Sequence, residues 1–495
     1  MALYITFLFI VSSLVLFYFF VLNQKPKGKL PPGPPKLPII GNIPQVAGKL
    51  PHHVLRDLAR KYGPVMHLQL GHLSTIVVSS PRLAEHVLKT NDLAVSNRPY
   101  SLVGDVVLYG GSDVVFGNYG DYWRQMKKIM TTEALSAKKV REFSGIRDHE
   151  INNMIEFIRS TLGKPFHLRE GVMQRNNNII CKALFGDHSK QQDLLIEIVE
   201  ELVVLASGFQ LADFFPKLKF LTAISGMKSK LTKVHNELDN IFDELFRERK
   251  IKRQTNGATE DDLLDVLFNI KERGGLQFPI EDNNIKAIFV NMFIGGTDTS
   301  VVTIEWTMTQ MMRFPEVMKK AQAEVRRVFK GKQTITEKDL EQLVYLRCVV
   351  KEALRLYAPI PILLPRESRE KFQIDGYDIP VGTRVLVNAY ACSTDPEYWD
   401  DADSFKPERF EKSAVDFMGR NYEYLPFGTG RRICPGITFG LNVAEIIIAK
   451  LIYHFDWELP NGLSPKDIDL SENFGVVADK KVPLEIIPTR YYPMS

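Results

Sequence analysis

The 495-residue chain has only four cysteines, Cys181, Cys348, Cys392 and Cys434. They are scattered, and no two have the spacing of a metal-binding pair. So few in so long a chain argues against a disulfide framework and for a reducing compartment. Asn-x-Ser/Thr sequons are absent as well, in keeping with a body that faces the cytosol. The sequence shows no internal repeat, no low-complexity tract and no linker that would part it into several domains. One large domain is expected over residues 36–495. Net charge is only +4. No Lys/Arg stripe is interleaved with stacking aromatics, which argues against a nucleic-acid partner. The mild positive balance suits an anionic membrane surface or an acidic protein partner.

Charge is missing altogether from Met1 to Leu22, a stretch rich in Leu, Phe, Val and Ile. About 20 apolar residues suffice to cross a hydrocarbon core of about 30 Å. Lys25, Lys27 and Lys29 follow, and by the positive-inside rule they hold the C-terminal side in the cytosol. A cleaved secretory signal needs a charged start, a shorter apolar run and a small-residue cleavage site, none of which is clear. Residues 1–22 are therefore expected to be a transmembrane anchor. Residues 23–35 follow as a basic, Pro-rich hinge, with Leu30-Pro31-Pro32-Gly33-Pro34-Pro35 as a stiff extended spacer.

In the body, partial alternation over residues 65–80 around Gly71 predicts a hairpin. Helical periodicity dominates residues 120–360. Short strand-like runs return at 376–387 and near the C-terminus. The expected fold class is mainly α, with a small sheet at each end of the sequence.

The chemistry is concentrated at Phe427-Gly428-Thr429-Gly430-Arg431-Arg432-Ile433-Cys434-Pro435-Gly436. Two glycines followed by Cys-Pro-Gly cannot form a helix or a regular strand, so this is a tight loop. An apolar helix is expected from about 437 to 455. Cys434 then sits at a helix N-terminus, where the dipole, free N–H groups and nearby Arg432 favour thiolate. Such a thiolate can be a nucleophile, a redox thiol or a metal ligand. No local His serves as a base and no second Cys lies nearby. A cramped, glycine-lined loop best suits a flat cofactor that approaches the backbone closely, and haem fits that description. A dinucleotide loop is the weaker reading, because position 433 is Ile where the third glycine would stand.

A second half of the site is expected on a helix over residues 283–313, ending before Pro315. Its middle reads Phe293-Ile294-Gly295-Gly296-Thr297-Asp298-Thr299-Ser300. Adjacent glycines in a helix cost about 1 kcal/mol each relative to alanine, so helix stability does not choose them. They let a bulky ligand lie against the backbone, or they permit a close helix crossing. Thr299 can bond a carbonyl one turn back and open the helix, and Asp298 beside it offers an acid for proton relay. Upstream of the Cys loop, Glu352 and Arg355 share a helix face, which alone reads as a surface ion pair. Arg366 and Arg409, the latter within Pro407-Glu408-Arg409-Phe410, follow in order.

Together these motifs resemble the cytochrome P-450 family, and the resemblance spans the chain. It implies that Cys434 is the axial ligand of haem b (iron protoporphyrin IX), with Phe427 beside the sulfur and Gly436 allowing close approach. It implies a buried triad of Glu352, Arg355 and Arg409. Trp123, Arg366 and Arg432 would bond the propionates. Lys127 stands where the family carries arginine and would do so without the bidentate fork. Asp298 and Thr299 would deliver protons for oxygen activation. Val106, Phe209, Ile294, Gly295, Ile362, Leu363, Phe474 and Val476 would line an apolar substrate pocket. Electrons would come singly from NADPH through a separate reductase, at the endoplasmic reticulum membrane, with the catalytic domain cytosolic.

Gly295 replaces the alanine of many relatives, and Thr429 replaces the alanine usual in plant ones. Tyr122-Trp123-Arg124-Gln125, Tyr424-Leu425-Pro426-Phe427-Gly428 and His67-Leu68-Gln69-Leu70-Gly71 resemble the plant A-type branch. Within it, the resemblance is to daisy-family enzymes acting on germacrane sesquiterpenoids and their lactones, such as costunolide synthases and germacrene acid hydroxylases. The implied function is hydroxylation or epoxidation of such a compound. Alternatives are a monooxygenase of another terpenoid or a phenolic, a haem-thiolate isomerase or dehydratase, and a haem-binding sensor.

Overall fold

Proline and glycine decide where the chain can form helix and where it must turn. The computed structural model describes residues 29–186, 192–207, 214–215, 226–257, 259, 262–332 and 335–491, plus positions 4, 6, 12 and 13. Apart from those four positions, the anchor expected at 1–22 lies outside the described residues, as do the start of the hinge and Phe209. The helices that position the site are α1 (Pro51–Tyr62), α2 (Asp121–Ile129), α3 (Leu168–Phe185), α4 (Asp282–Arg313), α5 (Pro315–Phe329), α6 (Val344–Leu356) and α7 (Ile437–His454). Pro51 and Pro315 occupy first-turn positions, where a missing N–H costs nothing. Glu281 and Asn284 close a reciprocal cap over the start of α4. Pro315 cannot continue that helix, which stops at Arg313 as expected.

The strands are β1 (Val65–Leu70), β2 (Leu73–Val78), β3 (Phe166–His167), β4 (Arg366–Glu367), β5 (Phe372–Ile374), β6 (Tyr377–Ile379), β7 (Arg384–Val387), β8 (Phe455–Glu458) and β9 (Glu485–Arg490). The expected hairpin is β1–β2, paired from Val65↔Val78 to Leu70↔Leu73, with Gly71 at φ +60°. The expectation of a separate sheet at each end of the sequence is corrected. β2 pairs in parallel with β7, and β4 adds to β7, so N- and C-terminal halves share one sheet. β9 likewise reaches back to β3. Local alternation predicts strands but carries no information on which distant strand each one meets.

By length and composition α4 and α7 could each cross a membrane, yet 67% of each apolar window is buried within the fold. They are core helices. Phe289, Phe293, Ile304 and Met308 of α4 and Val443, Ile446 and Ile447 of α7 belong to one large apolar core. Each such side chain contributes about 1.5–3 kcal/mol on burial. Trp306 stacks on Tyr357 with centroids 4.1 Å apart and donates to the Ala478 carbonyl at 3.0 Å. That contact fastens the C-terminal loop to α4.

The adjacent glycines of α4 divide the two sequence readings between them. A Cβ at Gly296 would lie 3.1 Å from Ile180 Cδ1 of α3, so this glycine serves the helix crossing. A Cβ at Gly295 would meet nothing within 4 Å among the described residues, so its face is open. Asn176 of α3 seals the crossing by donating to the Gly296 and Thr297 carbonyls at 2.9 and 3.0 Å.

Glu352 and Arg355 are fully buried, not the surface pair that their spacing alone implies. Arg355 Nε and Nη2 donate to the two Glu352 oxygens at 2.8 and 2.9 Å. Its remaining donors go to the Ser393, Ala402 and Ser404 carbonyls. Arg409 Nε and the Lys406 N–H also donate to Glu352 Oε1, at 2.9 and 2.8 Å. The cage clamps the irregular 393–409 segment to α6.

Two stability predictions follow from these contacts. Glu352→Ala leaves a buried arginine unpaired and is expected to cost about 3–5 kcal/mol. Removing Glu85 from its exposed pair with Lys89 is expected to cost under about 0.5 kcal/mol. Denaturant midpoints of the two variants check the contrast. Gly295→Ala should raise stability by about 1 kcal/mol through helix propensity. Gly296→Val should lower it by about 1–3 kcal/mol through overpacking against Ile180. Equal effects of the two glycine variants on the melting temperature would contradict the assignment.

Candidate active site

The Cys loop is tied at both ends and in the middle. The Cys434 N–H donates to the Phe427 carbonyl at 3.0 Å, and the Ile433 N–H donates to Gly430 at 3.1 Å. Gly428 and Gly430 take φ of +67° and +68°, a region that disfavours side chains. At Gly430 a Cβ would also stand 2.8–2.9 Å from the Asp92 carboxylate. Asp92 enters that space because it holds the loop. It accepts from Arg366 Nη1 at 2.6 Å and, on its other oxygen, from the Arg431 N–H and Nη1 at 3.1 and 2.8 Å. Sequence reasoning missed Asp92, since a lone aspartate 342 residues before Cys434 carries no local signal.

Thr429 also finds an explanation. Its hydroxyl donates to the Gly419 carbonyl at 2.5 Å, and its own carbonyl accepts from Arg366 Nη2 at 3.0 Å. It pins the Cys loop to the preceding loop.

The helix N-terminus acts on Cys434 in the expected direction, through the Gly436 N–H, but burial outweighs it. Burial pushes the thiol pKa up, and the Gly436 N–H and the Lys127 charge offset this only in part.

Cations crowd this loop. Arg432 donates to the Ser96, Val114 and Gly117 carbonyls at 2.9, 3.3 and 2.7 Å, with its Cζ 4.3 Å from the Trp123 ring centroid. Lys127 donates to the Ile433 carbonyl at 2.6 Å. Trp123 Nε1 donates to the Val114 carbonyl at 2.9 Å. Arg98, which sequence reasoning missed, donates to Val115, Leu364 and Pro365 carbonyls at 2.9, 2.6 and 2.8 Å.

Burial, reinforced by neighbouring arginines, holds Arg98 well below the usual guanidinium range and brings Arg432 down to about 10. Burial likewise brings Lys127 down to about 8, against the raising effect of Cys434. Four inward cations thus face two carboxylates, Asp92 and Asp113, and carbonyl oxygens carry no countercharge. A ligand with two carboxylates of its own and a metal for Cys434 fits this donor set, and haem b supplies both.

Helix α7 brings the two halves together. It begins two residues after the Pro435-Cys434 pair, and a Cβ on its Gly440 would lie 3.6 Å from Ser300 Oγ of α4. Next to Ser300, Thr299 donates its hydroxyl to the Gly295 carbonyl at 2.6 Å, the back-bond expected from sequence. Gly295 and Thr299 share a face one turn apart. Burial raises the Asp298 carboxyl above its ordinary range, Arg169 opposes that and Asp479 adds to it.

Of the expected pocket residues, Val106 and Ile294 pack at the margin of the main core. Leu363 Cδ1 lies 4.0 Å from where Gly428 would carry a Cβ. Ile362 packs beside β1 and β2. Val476 is half-buried, whereas Phe474 is 47% exposed.

Comparisons with known proteins agree with this geometry. The family model for cytochrome P450 matches residues 31–485. Cytochrome P450 Tp9025 of Tanacetum parthenium is 70% identical, covering 99% of both chains. Costunolide synthase of Cichorium intybus is 50% identical over 97% of each chain. Premnaspirodiene oxygenase of Hyoscyamus muticus is 52% identical over 94% of this chain and 93% of its own. A zebrafish cytochrome P450 solved with progesterone superposes with a TM-score of 0.78 at 24% identity, over 90% of this chain and all of its own. A match over nearly the whole chain, joined to a cysteine loop ringed by cations that want a dicarboxylate, places the chain in the cytochrome P450 family, haem-thiolate monooxygenases fed with electrons by a reductase.

Proposed function

We propose that this monooxygenase hydroxylates or epoxidises a germacrane-type sesquiterpenoid or sesquiterpene lactone. The observation that carries it is the open face of α4 at Gly295, one turn from Thr299 and flanked by apolar Ile294. A rigid apolar skeleton can lie there against bare backbone. Costunolide synthases from three species, at 49–50% identity, and premnaspirodiene oxygenase support the substrate class. Ile362, Leu363, Val106 and Val476 would supply further apolar contact, with Phe474 at the exposed edge.

In this reading Cys434 is the axial ligand. Haem ligated by a thiolate supplies the oxygen chemistry, because the sulfur donates electron density that favours O–O cleavage. The chain's residues do the rest. Gly436 leaves room beside the sulfur, and Phe427 closes the loop over it. Arg98, Trp123, Lys127, Arg366 and Arg432 hold the propionates, exchanging carbonyl partners for carboxylates. Glu352, Arg355 and Arg409 keep the 393–409 segment rigid. Asp298, with a raised proton affinity, keeps a proton that the Thr299 hydroxyl can pass on. The apolar run at 1–22 anchors the enzyme in the endoplasmic reticulum membrane, and Lys25, Lys27 and Lys29 keep the body cytosolic, where an NADPH-dependent reductase meets it.

Two experiments test this. Cys434→Ala should abolish the red-shifted absorption band that a thiolate gives the reduced carbon-monoxide complex; an unchanged band rejects the ligand assignment. Membranes containing the enzyme and its reductase should convert germacrene acid or costunolide to products one oxygen heavier by mass spectrometry, and only with NADPH and oxygen. Equal product without either cosubstrate would favour an isomerase or dehydratase instead. Turnover of phenolics alone would reject the terpenoid assignment.

A further inference from the structure

Arg169, in the first turn of α3, is shared by three carboxylates. Its Nη1 lies 3.3 Å from Glu305 Oε2 and 3.3 Å from Asp479 Oδ2, while Nη2 lies 3.8 Å from Asp298 Oδ1. The three acids are not held alike. Glu305 also accepts the Leu484 N–H at 2.9 Å, so it is fixed from two sides. Asp479 accepts from Asn473 Nδ2 at 2.9 Å, and its carbonyl accepts the Asn473 N–H at 2.9 Å. Those bonds close a short loop over residues 473–479 that carries Phe474 and Val476. The contact of Asp298 with Arg169 is too long for a hydrogen bond, so it is the one most easily traded.

Other charged groups face the same region. Glu200, on the helix Gln192–Ser207 packed against α4, is raised by burial and then by Asp298. Lys480 acts on Glu305, and its ammonium donates to the Asp469 carbonyl. Among the described residues this leaves Arg169 as the cation that acts on Asp298.

We propose that Asp479 is a positioning residue: it competes with Asp298 for Arg169, and so ties the loop carrying Phe474 and Val476 to the acid beside Thr299. When that loop draws Asp479 onto Arg169, Asp298 loses its counterion and holds its proton. When the loop moves away, Arg169 turns to Asp298 and the proton leaves more readily. Loop position then sets how readily the site releases protons. Its effect on turnover rests on the reading that Asp298 moves protons for the reaction; the ion-pair coupling itself does not.

The test uses the ferric full-length holoenzyme and infrared titration of protonated carboxyl bands. The band lost in Asp298→Asn identifies this acid. Asp479→Asn should lower its titration midpoint by about one pH unit, because Arg169 is freed for it, and Arg169→Gln should raise it by a similar amount. Arg169→Lys keeps the charge and should restore most of the midpoint. A midpoint that stays put in both Asp479→Asn and Arg169→Gln overturns the proposal, and either variant alone suffices if the other does not fold. Peroxide released per NADPH consumed is measured in parallel. If Asp298→Asn leaves that ratio unchanged while the midpoints move as stated, the coupling stands and the proton-delivery role of Asp298 falls.

Discussion

Positive charge that the protein cannot neutralise by itself is the constraint on which the site depends. Arg98, Lys127, Arg366 and Arg432 point inward around one loop, with Asp92 and Asp113 as nearby carboxylates. Burial pushes Asp113 up as well, which weakens it as a counterion. Most of the cations' donors end on backbone carbonyls, which satisfy hydrogen bonds without cancelling charge. Such an arrangement is unfavourable unless a dianion completes it. The two propionates of haem b would complete it.

Around that charge the architecture is a set of clamps. Asp92 grips the Cys loop from the front through Arg366 and Arg431. The Glu352 cage grips the 393–409 segment. Helix α7 carries the loop's other end to α4. The Asp92 and Glu352 clamps join residues far apart in sequence by charge-assisted bonds, which hold their geometry more strictly than apolar contacts do. The loop, irregular and glycine-rich, gains from its neighbours the rigidity that its own backbone lacks.

Much of this was legible in the sequence, and the limits follow from physics. The ends of α4 and α7, the β1–β2 hairpin and the tight Cys loop come from proline, glycine and periodicity, which act locally. The Thr299 back-bond is local too. Asp92 and Arg98 were not legible, because an isolated charged residue looks the same on a surface as in a site. Gly295 and Gly296 were seen as a pair with one purpose, while Ile180 on another helix gives them two. The sheet was divided wrongly for the same reason: pairing of β2 with β7 is a long-range fact. For Cys434 the local reading had the helix terminus acting in the right direction but lacked burial, a property of the whole fold that opposes it.

The substrate is governed by different rules from the clamps. The fold persists against a zebrafish protein at 24% identity, so most apolar positions can be exchanged provided volume is kept. Under the proposed function, selectivity would rest on a few side chains on irregular segments. Ile362 and Leu363 precede β4, and Phe474 and Val476 ride a loop closed by Asn473 and Asp479. Irregular segments accept substitution without disturbing the core. Gly295 is the exception, placed on a rigid helix, where the absence of a side chain widens the face beside Thr299. A single methyl group there would narrow the space for a ligand while stabilising the helix. Its absence is therefore a choice of shape over stability, and under the proposed function it makes Gly295 the position where substrate form would meet the helix of Asp298 and Thr299.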